Sequence, residues 1–355
     1  MAEAWIRGKS AALDAAIAEA ASLLAASRLP LIAGLGTDVA GARAAIKLAQ
    51  TVGGVIDHMY SEALLRDLDV MREAGMMLTT PTEARVRADF LLLVGPGLIE
   101  AWPALPKRLF ANRRIVWLCP GAAAKPENTY QNMVVVGDNP FDLPVILAGL
   151  RARCAGRPMA HLPLSPATID SLVADLRKVR FGVAIWSASQ HDELIIEMLC
   201  GLVADLNKGT RFSGLPLAAT DNAAAVQQVA GWMTGFPLRT GFGRGLPEHD
   251  PWRFEASRLI DSGEADCALW ISAYGAPSPI WKRRPPLVAL TARPDTSGAD
   301  ITIAVGRPGI DHDAVEHLAS TATLSAVRAK KPSTAMSVAS VIGKIRAALP
   351  TAKPC

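Results

Sequence analysis

The sequence predicts an α/β protein built as two doubly wound, mainly parallel-sheet lobes. Three observations carry that prediction. Short apolar runs alternate with helix-period segments along all 355 residues. The runs are almost continuously apolar, the pattern of strands buried on both faces. The alternation pauses once, at "GRPMAHLPLSP" (Gly156–Pro166), where three prolines and a glycine leave little periodicity, and then restarts. A length of this size also accommodates two domains at roughly 150 residues each.

The elements follow in order. "MAEAWIRGKSAALDAAIAEAASLL" carries Asp14 and Glu19 inside its apolar pattern, so it reads as an amphipathic helix over Lys9–Ala26 and not as a secretory leader. "RLPLIAGLGTDVAGARAAIKLAQTVGGVID" (Arg28–Asp57) opens a β-α-β unit: an apolar run, a glycine turn, a helix over Val39–Val52, and a second run at Gly54–Ile56. A helix over Ser61–Glu73 follows. The runs at Asp89–Gly97, Arg114–Gly121 and Met133–Gly137 are buried-strand types, and a helix over Asp142–Arg153 closes the first half. Beyond the connector come a helix at Thr168–Arg177, a strand within Phe181–Ser189, a helix at Glu193–Leu206, the run "FSGLPLA" and a helix at Asn222–Met233. The runs "CALWISAYG", "PPLVALTA" and "ITIAVGR" complete the strands, and Met336–Leu349 is a terminal helix.

Half the residues are apolar, and the mean hydropathy of +0.22 is high for a chain with no run near the ~18 apolar residues of a membrane span. Apolar surface covered by protein partners fits that surplus, and the expected compartment is the cytoplasm. Net charge is +4, without the basic stripe or aromatic-basic interleaving of a nucleic-acid binder. The five cysteines, Cys119, Cys154, Cys200, Cys267 and Cys355, are widely spaced and form no C-x-x-C pair, so they read as structural thiols.

The chemistry-bearing motifs each have a bland alternative. Gly34-x-Gly36 continues to Gly41, so the spacing departs from G-x-G-x-x-G. It either seats a pyrophosphate on a helix N-terminus or is a tight turn capped by Thr37 or Asp38, and a carboxylate there repels phosphate. The latter is the favoured reading. His58, at the end of a strand, sits where α/β sheets bind ligands but has no partner in sequence. His312 and His317 are five apart, wrong for a helical zinc pair, and read as turn residues. Cys119 ends a strand, and packing is its favoured role. There is no G-x-x-x-x-G-K-[ST] and no G-x-S-x-G. The loop Thr234–Pro251 holds four glycines and three prolines in 18 residues, a length that usually serves a function. Arg239 and Arg244 lie in it, and Lys282, Arg283 and Arg284 form a second basic run; a solvated basic turn is the bland reading of that run.

In this order and spacing, several segments resemble the molybdopterin-oxidoreductase fold, and most closely the catalytic (beta) subunit of formylmethanofuran dehydrogenase. They are the Arg28–Asp57 unit, "ARVRADFLLLVGPG", "TGFPLRTGFGRGLPEHDPWRFEASRLIDSGEADCALWISAYG" and "GADITIAVGRPGIDHDAVEH". The likeness runs over about residues 4–335. Two departures matter. The family's redox members begin with cysteines for a [4Fe–4S] centre, whereas this chain has no cysteine before Cys119. Its metal-binding members present a thiolate or selenolate shortly after the second strand, where this chain reads "DHMYSEALLRDL".

The pattern resembles instead the beta subunit of the formyltransferase/hydrolase complex of methylotrophic bacteria, a hydrolytic relative. The resemblance implies a non-redox scaffold with no Fe–S cluster, molybdenum or tungsten, and a β-α-β unit whose nucleotide is lost. The complex would transfer a formyl group between tetrahydromethanopterin and methylofuran and hydrolyse it to formate. Its partners would be an amidohydrolase-like alpha subunit, a formyltransferase-like subunit and a further subunit. The implied topology joins residues 1–58 with 220–320 in one lobe, places 59–219 in the other, and leaves 321–355 as the remnant of a truncated C-terminal cap. Methylofuran's glutamate-bearing tail would meet Arg239, Arg244, Lys282, Arg283 and Arg284. Two other classes stay open at this point: a thiamine-diphosphate enzyme, for which "VGDNP" is a poor G-D-G match, and a generic Rossmann-type oxidoreductase.

Overall fold

The computed structural model describes residues 3–121, 132–159, 162–294 and 298–350; Cys355 and part of the proline-rich connector lie outside the described residues. The chain divides into two compact units. One gathers 1–61, 220–317 and 324–355; the other is 62–219 with 318–323.

The first unit opens with β1 (Ala4–Ile6) and β2 (Lys9–Ala11), then α1 (Leu13–Ala26). The expected helix over Lys9–Ala26 therefore loses its first turn to a strand. Arg7 and Gly8 both take positive φ, 48° and 75°. This is the twist of a two-residue hairpin turn, which pairs Ala4 with Ala11 and Ile6 with Lys9. Next come β3 (Pro30–Gly36), α2 (Val39–Val52) and β4 (Val55–His58). Helix α2 ends at Gly53 in the left-handed conformation (φ 65°), which a glycine takes without strain.

The second unit starts at α3 (Ser61–Glu73) and α4 (Pro81–Arg87), where Thr80 caps the helix and Pro81 fixes its first turn. It continues through β5 (Phe90–Val94), α5 (Leu98–Ala101), α6 (Leu105–Leu109), β6 (Arg114–Leu118), β7 (Met133–Val136), α7 (Leu143–Cys154), α8 (Pro166–Arg177), β8 (Gly182–Trp186), α9 (Glu193–Leu206) and β9 (Phe212–Pro216). Its strands form a parallel sheet in the order β7-β6-β5-β8-β9. One face packs against α7, α8 and α9 through Leu92, Val116, Ile146, Leu172, Leu199 and neighbours. The other is covered by Leu105, Leu109, Trp102 and neighbours around Leu91, Leu93 and Ile185. Strands covered on both faces carry continuous apolar runs, as "FLLLV" and "GVAIW" do.

The chain then returns to the first unit with α10 (Ala223–Thr234), β10 (Thr240–Gly241), β11 (Glu248–His249), α11 (Ala256–Ser262), β12 (Cys267–Ser272), β13 (Leu287–Thr291) and β14 (Ile301–Ala304). A hairpin, β15 (Ala314–Leu318) and β16 (Thr323–Val327), precedes α12 (Val338–Ala347). Among the described residues the first unit's sheet has the order β11-β10-β4-β3-β12-β13-β14-β1-β2. Its five central strands are parallel. Both edges are antiparallel hairpin strands. The Gly-rich segment Thr234–Pro251 thus supplies one sheet edge. Helices α2, α10, α12 and α1 pack beside one another. No helix among the described residues is long and apolar enough to cross a membrane.

Candidate functional site

In an open parallel sheet, ligands bind outside the carboxyl ends of the strands, where neighbouring connections leave in opposite directions. In the first unit that switch lies between β3 and β12, since β3 leads to β4 on one side and β12 leads to β13 on the other.

The turn after β3 is built by its neighbours. Gly34 has φ 77°, and a Cβ there would lie 2.7 Å from the Ile271 carbonyl and 2.9 Å from the Trp270 ring. Leu35 follows, also left-handed at φ 54°. Ala273 N–H donates to the Gly36 carbonyl at 2.7 Å, tying β3 to the exit of β12. Asp38 caps α2, its Oδ1 accepting from Gly41 N–H at 2.9 Å. A Cβ on Gly41 would fall 2.0 Å from Thr37 Oγ1, so the third glycine makes room for a buried threonine. Asn222 laces the turn from outside. Its Nδ2 donates to the Thr37 carbonyl and its Oδ1 accepts from His317 N–H, both at 2.8 Å. The anion at this helix N-terminus is therefore the chain's own carboxylate, in the place where dinucleotide folds hold a phosphate.

The end of β4 is equally occupied. His58 Nδ1 accepts from Tyr60 N–H at 3.0 Å, so its proton sits on Nε2, which donates to the Asp221 carbonyl at 3.2 Å. Burial lowers its pKa to about 4. Both ring nitrogens are committed and the ring is neutral at ordinary pH. Asp57 is buried and its pKa is raised to about 6 by that burial, against the opposing pull of Arg239 and Ser61. Its Oδ2 accepts from Ala256 N–H at 2.8 Å, and Oδ1 lies 3.7 Å from Arg239 Nε. Tyr274 donates to Glu316 Oε1 at 2.5 Å; burial and that carboxylate drive its pKa far up.

The five basic residues singled out from sequence do not form one cluster. Arg239 is buried, pairs with Asp57, donates to the Pro251 carbonyl at 2.7 Å, and lies toward the carboxyl end of β4. Arg244 is exposed and pairs with Glu248 at 3.0 Å. It follows Gly241, which pairs with Val55 at the start of β4, so it belongs to the amino edge of the sheet. Lys282, Arg283 and Arg284 are exposed and precede β13, on the same amino edge. Four strand spacings, roughly 19 Å, separate β10 from β13. Arg284 donates to the Gly298 carbonyl at 2.6 Å, and the Arg283 guanidinium covers Gly263.

In the second unit the switch lies between β5 and β8. His191, after β8, places its ring over Gly95, where a Cβ would fall 2.1 Å from the ring, and its Nε2 meets the Val94 carbonyl at 3.2 Å. Gln190 covers Gly97 in the same way. Burial lowers the pKa of His191. Arg66, on α3, holds the turn by donating to the Ala188 and His191 carbonyls at 3.2 and 3.0 Å. Asp67 accepts from Trp186 Nε1 at 2.9 Å, and burial raises its pKa to about 6. Asp67, Asn222 and His191 had no signal in sequence, because each stands among other polar residues: Arg66 and Asp69, Thr220 and Asp221, Gln190 and Asp192.

Burial raises the pKa of every described thiol, that of the partly buried Cys154 included. Cys119, Cys200 and Cys267 are buried, with pKa values pushed by burial to about 11, 11 and 12. Cys119 packs against Gly137 at the end of β6. His317 lies in β15 and His312 precedes it, so the two are not on a helix. The described residues hold no group of three His, Cys, Asp or Glu side chains placed to share a metal. A dithiolene-bound soft metal wants a thiolate after β4. His58–Leu68 offers none, and the Met59 thioether is packed near Gly36. The residues present do not fit that group.

No protein-family model matches the chain. Over 319 residues it is 35% identical to the beta subunit of the formyltransferase/hydrolase complex Fhc of Methylorubrum extorquens, covering 86% of this chain and 85% of that one. It is 26% identical over 294 residues to the beta subunit of the tungsten-containing formylmethanofuran dehydrogenase 2 of Methanocaldococcus jannaschii, a match that spans 73% of this chain and only 64% of that protein. Among solved structures, the formyltransferase/hydrolase complex FhcABCD from Methylorubrum extorquens, crystallised with methylofuran, contains a chain that superposes with a TM-score of 0.86 at 34% identity, covering 98% of each chain.

Proposed function

The chain belongs to the family of formyltransferase/hydrolase complex beta subunits, and from that membership we propose that it is a non-redox scaffold subunit of such a complex. The complex transfers a formyl group between tetrahydromethanopterin and methylofuran and hydrolyses it to formate. Two observations carry the non-redox part. The helix N-terminus that would seat a dinucleotide is capped by Asp38, and the segment after β4 has no thiolate for a metal. The two units then correspond to lobes of molybdopterin-oxidoreductase type, with residues 324–355 belonging to the first of them. The partners are an amidohydrolase-like alpha subunit, a formyltransferase-like subunit and a further subunit, all in the cytoplasm.

The exposed run Lys282–Arg284 supplies positive charge for the glutamate-bearing tail of the carrier. Arg244 is a more distant contributor, and Arg239, paired with Asp57, acts by holding the loop.

The test is purification of the native assembly from its host under mild conditions. Copurification with the two partner types, and iron, molybdenum and tungsten each far below one equivalent, is the expected result. One equivalent of tungsten or molybdenum per chain would refute the non-redox reading. A monodisperse monomer that captures neither partner type would refute the scaffold reading.

A further inference from the structure

Helices α2 and α12 lie side by side in the first unit and leave a trough of about 240 Å³ between them. They run in the same direction: α2 leaves the carboxyl end of β3, and α12 follows Met336, whose carbonyl accepts from Gly306 N–H just past β14. The floor is made of Ala40 and Ala44 from α2 and Ala339 and Gly343 from α12, each pair one helical turn apart. The rim is Arg43, Lys47 and Arg346. All three are exposed, none is in an ion pair among the described residues, and no carboxylate lines the trough.

Gly343 is the telling residue. It stands in the interior of α12, where glycine is disfavoured about fivefold against alanine. A Cβ built on it meets no atom of the chain within 4 Å. Packing between α2 and α12 therefore does not require a glycine there. Its absent side chain keeps the trough open to something from outside.

We propose that this trough docks an acidic α-helix of a partner subunit, an inference that rests on the reading of the chain as part of a complex. The small-residue floor lets a third helix approach both backbones closely, and ridges of side chains fit grooves of this kind. The unpaired cations select a face bearing glutamate or aspartate. Charge complementarity of this sort steers encounter and fixes register, and salt weakens it.

The experiment is assembly of the full chain with its purified partner subunits, read as a dissociation constant at low and high salt. Wild-type binding is expected to weaken about tenfold or more as salt screens the rim. The variant R43E/K47E/R346E should bind about a hundredfold more weakly. Gly343→Leu, which fills the trough, should bind about tenfold more weakly while its thermal midpoint stays level or rises, since leucine favours helix. That opposition of signs separates docking from simple misfolding.

If both variants assemble like wild type, the trough is a bare surface and the proposal fails. If assembly is intact in both variants but soluble oligoglutamate binds wild type and not the charge-reversed chain, the trough takes a small polyanion and the proposal fails in that direction. Wild-type chain that captures no partner at all overturns the subunit reading as well as this one.

Discussion

Replacing Asp67 by Asn should make the protein more stable at alkaline pH, although it removes a charge that sits on a hydrogen bond. The carboxyl is largely enclosed, accepts one bond from Trp186 Nε1 at 2.9 Å, and has its pKa raised from 3.8 to about 6 chiefly by burial. A carboxyl whose folded value lies above its unfolded value holds its proton more tightly when folded. Its contribution is therefore best at low pH and is lost as pH rises from about 4 to about 6. Each pKa unit is worth about 1.4 kcal/mol, so ionising Asp67 in the folded protein costs at most about 3 kcal/mol at pH 8. Asparagine keeps an oxygen for the Trp186 indole and never ionises. Urea unfolding of wild type and D67N between pH 4 and 8, followed by a probe of the second unit, gives the difference directly. The expected curves meet near pH 4 and separate to at most about 3 kcal/mol in favour of D67N by pH 8. Asp57 titrates over the same range, but it is common to both proteins and cancels. A D67N protein less stable than wild type at pH 8, or a difference independent of pH, would refute the assignment of burial as the dominant effect.

Gly34→Ala combines a left-handed backbone with a Cβ 2.7 Å from the Ile271 carbonyl. A loss of about 3 kcal/mol is expected from strain and overpacking together, whereas Gly343→Ala in the same unit should be neutral or stabilising by chemical denaturation. Cys119, Cys200 and Cys267, with thiols near 11, 11 and 12, should resist iodoacetamide at pH 8 in the folded state and react once unfolded; rapid native labelling of any of them by mass spectrometry would contradict the burial described. Changing Lys282, Arg283 and Arg284 together to Ser should raise the KM for the carrier in the assembled complex and flatten its salt dependence. Each exposed charge is worth only about 0–1 kcal/mol, so single changes should do little. An unchanged KM with assembly intact would make the run a solvated turn.

Much of the chain was legible where a local signal sufficed. The bounds of Val39–Val52, Ser61–Glu73 and Glu193–Leu206 follow from a helical period, with a capping Asp38 and Asp192 starting the first and third. The first hairpin and α4 also carry local signals. Arg7-Gly8 between two three-residue strands is a hairpin turn. Thr80, Pro81 and Glu83 start α4 with a cap and a proline. What sequence could not give is what depends on distant partners. In sequence Arg239 is a cation in a glycine-rich loop, and only the fold brings it to Asp57. The role of Gly34 is set by Trp270 and Ile271 on another strand. The separation of Arg244 from Lys282–Arg284 needs the strand order.

That strand order has a consequence for how the protein is made. The central strand β3 pairs with β12, Ala33 opposite Trp270, and these partners leave the ribosome roughly 230 residues apart, a delay on the order of 10–50 s at bacterial or eukaryotic synthesis rates. During that interval Leu31, Ile32 and Ala33, fully buried in the finished protein, stand on an open sheet edge. The second unit lies almost entirely within the interval, as one continuous stretch from 62 to 219, and can complete its own sheet first. Its folding draws the two ends of the inserted chain together and reduces the entropy that β3 and β12 must later overcome. The nascent first half is therefore the species most exposed to aggregation, and slowing synthesis after residue 60 should lower soluble yield more than slowing it after residue 272.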